Sequence, residues 1–557
     1  MILMKPQGCI LWVLVAVIIF FGQVTLSHDN YIILMPFPDV SHIVDSKQIA
    51  RAISIMNITS QPDHLFIINT SDERQVVDQN NQNYSMINIK DYSPYHNAIK
   101  GNLIERVRAL VSDSQMTDRY QAMVGYYFDI YEPTIRGLDE LFETHPQLST
   151  IDPSKLFFVI DGIYSPAIEW SRKRGIRHIT LANTLILIPH QYKPNIFPRM
   201  IYERTSLRRG REILENEGIL KFFMNRIEEK LLRFFDFLRN VISLSNRLNE
   251  VRKNLGYESV MGPFVDSSDR ASIYFSLPGF DYATPLPVNY HLVGFTNTIV
   301  DNTKLNERDE IVDGWMERSN ANQIIYLSFG TKARLSINHT CDFIRNILSI
   351  NSTYNILISE RINTWSDFEK CRGILPEWKN QVLVRPWLNQ AKVLSNPKVK
   401  IFISHGGAHS LFESIENQVP IMLFPQFAEQ FLNNIRAEDL GFGRAIYDPA
   451  NSVEFTKLYN ELMENTKIKT NLKKWDKINQ FHTQHFTQLA QHNQISPNLL
   501  MAANVIENII ENGDEHLRST EKQLYFIETI DIVHLLLLLL VLPLLLFLSK
   551  RFLLRRS

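Results

Sequence analysis

WLNQAKVLSNPKVKIFISHGGAHSLFESIENQVPIMLFPQFAEQ, residues Trp387 to Gln430, decides the fold. At its centre Val399–Ile403 is a short, largely β-branched apolar run that reads as a buried parallel strand. Ser404-His405-Gly406-Gly407 follows at once, and then a helical pattern with Leu411, Phe412 and Ile415 on its inner side. Paired glycines at a strand-to-helix turn let an anion approach the backbone closely. The start of the helix adds free N–H groups and the positive end of its dipole. The turn therefore reads as a phosphate site, with His405 placed to add a hydrogen bond. Glu413 lies near the middle of the helix, where a carboxylate can accept both hydroxyls of a ribose, as acidic residues do in dinucleotide sites.

The same half of the chain repeats the device. Ser328-Phe329-Gly330-Thr331 ends an earlier strand, Ile324–Phe329, and reads as a second turn facing the same phosphates. Trp387 follows the strand Val382–Val384 at the carboxyl edge, where ligands bind in open α/β sheets, and an indole there can stack on a base. Further strands are expected at Ile356–Ser359, Ile421–Phe424 and Arg444–Tyr447, alternating with helical patterns. That alternation marks a doubly wound α/β domain with parallel strands. The first half shows the same grammar at Tyr31–Met35, Leu65–Ile68 and Leu156–Ile160. Between the halves SLPGFDYATPLPVN, residues Ser276–Asn289, carries three prolines and reads as extended chain at a domain junction. Ile219–Leu244, rich in Phe, reads as an apolar helix that packs on the N-terminal core; covering an acceptor pocket or lying on a membrane surface are the sharper alternatives.

His42 follows the first strand in MPFPDVSH and opens a helix with Ile43, Ile49 and Ile53 facing inward. A helix start disfavours the imidazolium, so the ring is kept ready to accept a proton. Asp161 ends the strand Leu156–Ile160, also at a carboxyl edge. A carboxylate there can fix the tautomer of His42 and stabilise the charge that develops on it. A base of this kind suits removal of a proton from an attacking hydroxyl.

The chain ends carry a different signal. One basic residue, Lys5, precedes an apolar stretch from Ile10 to Phe21, and Thr25 and Ser27 suit cleavage before His28, the layout of a secretory signal peptide. Near the other end Ile532–Ser549 holds no Asp, Glu, Lys or Arg and includes six consecutive leucines. At about 1.5 Å per residue it spans about 27 Å, close to a thin bilayer core. Lys550, Arg551, Arg555 and Arg556 follow and mark the cytosolic side. Five Asn-x-Ser/Thr sequons begin at Asn57, Asn69, Asn83, Asn338 and Asn351, all in the expected lumenal part.

The whole chain has 557 residues, 45% hydrophobic and 21% charged, at a net charge of −1. That composition is globular, and its charge balance argues against a nucleic-acid partner, which demands a basic face. With the basic residues of the leader and the tail set aside, residues 28–549 carry −6. There are three cysteines, and loss of the leader removes Cys9; Cys341 and Cys371 can then form at most one bridge, so cores rather than disulfides hold the fold. No Asp-x-Asp and no zinc-spaced Cys/His cluster occurs, so no metal and no cofactor is expected.

Taken together, the Trp387–Gln430 stretch, LSFGT, the junction LPGFDYATPLPVNYHLVGF, HLRSTEKQLYFIETIDIV and the two ends resemble the UDP-glycosyltransferases. The resemblance is nearest to the membrane-bound, animal-type UDP-glucuronosyltransferases. It implies a GT-B fold of two facing Rossmann-like domains. Its segments are a signal peptide (1–27), an acceptor-binding domain (28–290), a UDP-sugar-binding domain (291–528), a transmembrane helix (529–549) and a cytosolic basic tail (550–557). His42 and Asp161 would form the catalytic dyad. Trp387 would stack on uracil with Gln390 beside it. Ser328, Gly330 and Thr331 would line the donor phosphates, and His405, Gly406, Gly407, His409 and Ser410 would hold the pyrophosphate. Glu413 would bind the ribose, and Glu429 and Gln430 the sugar hydroxyls. Three departures stand out: Asn389 replaces the usual proline, His409 replaces a common asparagine, and Glu429-Gln430 replaces Asp-Gln.

The expected activity is inverting transfer of a hexosyl or glucuronosyl group from a UDP-sugar to a small lipophilic acceptor. The expected location is the endoplasmic reticulum membrane, single-pass, with lumenal catalytic domains; a homo-oligomer is compatible with this reading. The rivals are a glucosyl, galactosyl or N-acetylglucosaminyl transferase of the same fold, and a non-catalytic UDP-sugar-binding membrane protein.

Overall fold

Tyr31–Met35 (β1), buried from Ile32 onward, is the strand around which the first sheet reverses its order. It feeds the helix Val40–Ile55 (α1), and then come the strands Leu65–Asn69 (β2) and Ser85–Asn88 (β3). After the long helix Met116–Thr144 (α2) the chain returns to the other side of β1 as Leu156–Asp161 (β4). The helix Ser165–Lys173 (α3) and the strands Arg177–Ala182 (β5), Ser272–Tyr274 (β6) and Tyr290–Leu292 (β7) complete the lobe. The strands are parallel in the order β3-β2-β1-β4-β5-β6-β7, with Met35 opposite Ile160. This computed structural model describes residues 30–37, 40–59, 64–69, 84–91, 116–182, 214–221, 246–260, 269–281, 286–295, 307–319, 323–330, 335–360, 364–426 and 429–517.

The second lobe repeats the plan. Ile324–Ser328 (β8), the helix Ile337–Ile350 (α4), Asn355–Ser359 (β9) and Val382–Arg385 (β10) build outward in one direction. After the short helix Gln390–Leu394 (α5), Val399–Ser404 (β11) pairs with the far side of β8. The helix Ala408–Glu416 (α6), Ile421–Leu423 (β12), the helix Gln430–Asp439 (α7) and Gly443–Ala445 (β13) follow. The order is β10-β9-β8-β11-β12-β13, again parallel throughout. All nine strands expected from sequence are present within two residues of their expected ends. Four others, β3, β5, β6 and β7, carry too few apolar residues in a row to stand out.

The C-terminal helices cross back. Thr466–His482 (α8) lies against α6, and Pro497–Asn512 (α9) packs Leu499, Leu500, Ala503, Ile506 and Ile510 into the first lobe's core beside Ile49, Ala52 and Ile53 of α1. Asn498 Nδ2 donates to Val293 O at 3.0 Å, and Ala271 N donates to Asp514 Oδ2 at 3.1 Å, pinning both flanks of α9 to the first sheet. Cys341 of α4 is bonded to Cys371, with Cα atoms 6.1 Å apart, closing a loop around β9. Among the described residues no helix is long and apolar enough to cross a membrane. The leader, the expected span at 529–549, the basic tail, Asn83 and most of Ile219–Leu244 lie outside the described residues.

Candidate active site

Each sheet reverses its strand order once at its centre, between β1 and β4 in the first lobe and between β8 and β11 in the second. At such a switch point the loops leaving neighbouring strands diverge and open a crevice at the carboxyl edge. His42 leaves β1 and Asp161 ends β4, so the first crevice holds this pair. Ser328 ends β8 and Ser404 ends β11 directly opposite it, so the second crevice is bounded by the two glycine turns.

His42 Nδ1 is hydrogen-bonded to Asp161 Oδ2. A carboxylate only accepts, so Nδ1 carries the hydrogen and Nε2 is left with its lone pair. The other oxygen, Oδ1, accepts from the backbone N–H of Ile163 at 3.1 Å, which fixes the carboxylate plane. Phe37 meets the imidazole edge-on at 5.6 Å and is itself buttressed by Tyr164 at 5.9 Å. The ring is thus oriented by one charged neighbour and one apolar wall.

In the second crevice His405 is held between glycines. A Cβ on Gly330 would lie 2.7 Å from its Cε1, and a Cβ on Gly407 would lie 2.7 Å from its Nε2. Gly330 at φ 73° and Gly406 at φ 85° also take the left-handed backbone that favours glycine. Burial pushes the His405 pKa down to about 4, so the ring is neutral and contributes a hydrogen bond rather than a charge. Asn433 Nδ2 donates to Gly406 O at 2.9 Å and braces the turn from behind. α6 starts after Gly407, which caps it with no side-chain hydrogen bond, and has no acidic residue in its first turn, a helix start whose first N–H groups have no partner within the helix.

Trp387 is 60% exposed at the edge beyond β10, a flat surface available for stacking. Gln390 donates from Nε2 to Glu413 Oε2 and to Ser410 Oγ at 3.3 Å, while Tyr326 Oη donates to Gln390 Oε1 at 3.5 Å. Glu413, 4% exposed, is therefore aimed by a polar network behind the crevice floor. Gln430 is buried, and its Oε1 accepts from Gln426 N at 3.0 Å. Glu429 sits half-buried just before α7. Thr331 lies outside the described residues.

The two crevices meet. His409, second residue of α6, places Nε2 3.1 Å from Asp45 Oδ2 on α1, one turn past His42. Sequence reasoning named His409 but missed Asp45, along with Tyr326 and Asn433. The i, i+3 spacing from His42 to Asp45 is the signal that points to it, since it puts both on one helix face.

Two parallel Rossmann-like sheets, each with its switch point turned toward the other lobe, define the GT-B class of fold. Solved structures agree. A glycosyltransferase of kitacinnamycin matches at a TM-score of 0.54 and 15% identity over 86% of this chain and 99% of its own. A UDP-glucose: anthocyanidin 3-O-glucosyltransferase in complex with UDP matches at 0.53 and 14% over 87% and 100%. The chain belongs to the UDP-glucoronosyl and UDP-glucosyl transferase family, whose profile matches residues 221–556. A UDP-glycosyltransferase of Dactylopius coccus is 30% identical over 179 residues, 30% of this chain and 33% of that protein. A UDP-glucuronosyltransferase of Pleuronectes platessa is 37% identical over 102 residues, 18% of this chain and 21% of that protein. The chain spans a third or less of the length of these two relatives.

Proposed function

We propose that the protein is an inverting glycosyltransferase that moves a hexosyl or glucuronosyl group from a UDP-sugar to a hydroxyl, or similar nucleophile, of a small lipophilic acceptor. The observation that carries this reading is the Asp161–His42 pair, which binds the ring through Nδ1 at a crevice that adjoins the glycine-bounded anion turn. His42 takes the acceptor proton on Nε2 as the acceptor oxygen attacks the anomeric carbon. The bond from that carbon to the β-phosphate oxygen breaks, and its electron pair leaves on the diphosphate. One displacement without a covalent sugar–enzyme intermediate inverts the anomeric centre. Charge on the departing diphosphate is met by the N–H groups at the start of α6 and by neutral His405, a role for backbone donors that calls for no metal and no cofactor.

Trp387 supplies the stacking surface for uracil, Glu413 the ribose contact, and Glu429 with Gln430 the sugar contacts. The family membership and a fold neighbour solved with UDP support a uridine nucleotide. We place the protein in the endoplasmic reticulum membrane with its lobes in the lumen. The apolar ends support this, as does the Cys341–Cys371 bond, a type of link that persists in oxidising compartments.

The test is a panel of UDP-sugars offered with mixed acceptors, products being read by mass spectrometry, for the protein and its His42→Ala variant. The variant is expected to bind UDP-sugar while losing transfer by about 10²–10⁴-fold, the usual worth of a positioned base. Undiminished transfer by His42→Ala would sink the mechanism, and binding without turnover by the unaltered protein would favour the non-catalytic rival.

A further inference from the structure

Asn434 of α7 is fully buried, and neither its Nδ2 nor its Oδ1 has a hydrogen-bond partner among the described residues. An amide buried in this way destabilises the fold, because its hydrogen bonds to water are lost and none replaces them. It lies against the glycine turn of the second crevice. A Cβ on Gly406 would overlap Asn434 Oδ1 and lie 3.2 Å from its Cγ, so the amide occupies the space behind that glycine. The preceding side chain addresses the same residue, Asn433 Nδ2 donating to Gly406 O at 2.9 Å. Consecutive side chains on a helix diverge by about 100°, so the two asparagines hold the turn from different directions.

We propose that Asn434 is a positioning residue for the UDP-sugar: its amide is a back-stop that keeps Gly406, and with it the glycine turn, pressed toward the crevice. The proposal rests on the UDP-sugar reading of the site. The helix that carries the back-stop is fixed on either side of it. One turn earlier Gln430 Oε1 accepts from Gln426 N at 3.0 Å, and one turn later Glu438 Oε1 accepts from Ala445 N at 3.0 Å. The four-residue spacing puts Gln430, Asn434 and Glu438 on one helix face. Asn434 therefore cannot withdraw from the turn without straining one of those two bonds. Glu429 and Gln430 are the residues read as sugar contacts, so one helix sets the place of both the sugar and the diphosphate.

Stability and binding then pull apart. Alanine at 434 removes the unpaired amide and is the better helix former, and against these gains stands only a small cavity. The same change withdraws the back-stop and lets the turn relax away from the diphosphate. Donor affinity should fall while stability holds or rises. A residue that merely filled the core would behave otherwise, lowering stability and leaving the donor site as it was.

The experiment is calorimetric titration of UDP-glucose, with UDP-glucuronate as second probe, into the full-length protein and its Asn434→Ala variant, with a melting curve on each sample. The variant is expected to bind about tenfold more weakly, the worth of one hydrogen bond to a charged group, at an unchanged or raised melting temperature. Uridine, followed by ligand-observed NMR, carries no phosphate and should bind both proteins alike. Equal UDP-sugar affinity in the two proteins would overturn the proposal. So would an equal loss for uridine, which would mark a general loosening of the lobe. Gly406→Ala gives an independent check, since its added methyl group overlaps the amide only while Asn434 is present. The affinity it loses should be smaller in the Asn434→Ala background than in the unaltered protein, and losses that simply add would count against the proposal. Should Asn434→Ala fail to fold, Asn434→Ser, which shortens the side chain but keeps a polar group, carries the same test. No binding of either UDP-sugar by the unaltered protein would sink the UDP-sugar reading itself.

Discussion

His405 shows how tightly one residue can be specified by its neighbours. The two glycines that flank its ring leave no room for a methyl group, and the close approaches are to ring atoms rather than to a flexible tip. Gly407 has φ −63°, which any residue can adopt, so Gly407→Ala tests the space alone without backbone strain. That variant is expected to displace the imidazole and weaken UDP-sugar binding about tenfold, a loss of one good hydrogen bond, with thermal stability nearly unchanged. Calorimetry and a melting curve on the same sample check it; full affinity in a stably folded variant would remove His405 from the donor site. The strand, the paired glycines and the histidine were legible in sequence because their chemistry is local. Asp45 was not, because its partner lies 364 residues away and only the meeting of two lobes makes it a site residue.

At the scale of elements, legibility followed apolar run length. LFFVID of β4 and VKIFIS of β11 are unmistakable, whereas RHITLA of β5 opens on two polar residues and β6 and β7 are three residues each. Those strands are held by what packs on them, which no single segment reveals. The same is true of the polar knot between α2 and α3. Glu169 of α3 accepts from Tyr131 Oη at 2.5 Å and from Arg252 Nη2 at 2.8 Å, and Arg252 is fully buried. Burial, and then the adjacent Glu169 carboxylate, push the Tyr131 pKa upward, so the phenol stays a donor. Removing the acid would leave a buried guanidinium without its counter-charge. Glu169→Ala is therefore expected to destabilise the first lobe by about 3–5 kcal/mol, read from urea unfolding, while second-lobe structure persists. A change below about 1 kcal/mol would mean that water replaces the carboxylate.

At the scale of the molecule, two lobes in succession is what the repeated strand–helix grammar implies, and it accounts for the sheets. It does not account for α9, which follows the second lobe in sequence but supplies one wall of the first lobe's core. Nothing in PNLLMAANVIENII says which sheet it will cover, since an apolar helix face fits either. The crossing has an energetic consequence: the first lobe depends on chain that follows the second one. Arg436 of α7 adds a second link, donating to the carbonyl oxygens of Gly279, Phe280 and Asp281 in the segment between β6 and β7. Leu500 is fully buried in α9, so Leu500→Ala removes several methyl-sized groups from the first lobe's core. A loss of about 2–5 kcal/mol is expected, the range for such cavities. Hydrogen exchange locates it: backbone amides of β1 and β4 should lose protection while those of β8 and β11, in a lobe with its own core and its own disulfide, keep theirs. Equal loss in both sheets would show instead that the lobes unfold as one unit, with the Asp45–His409 and Arg436 links strong enough to make them inseparable.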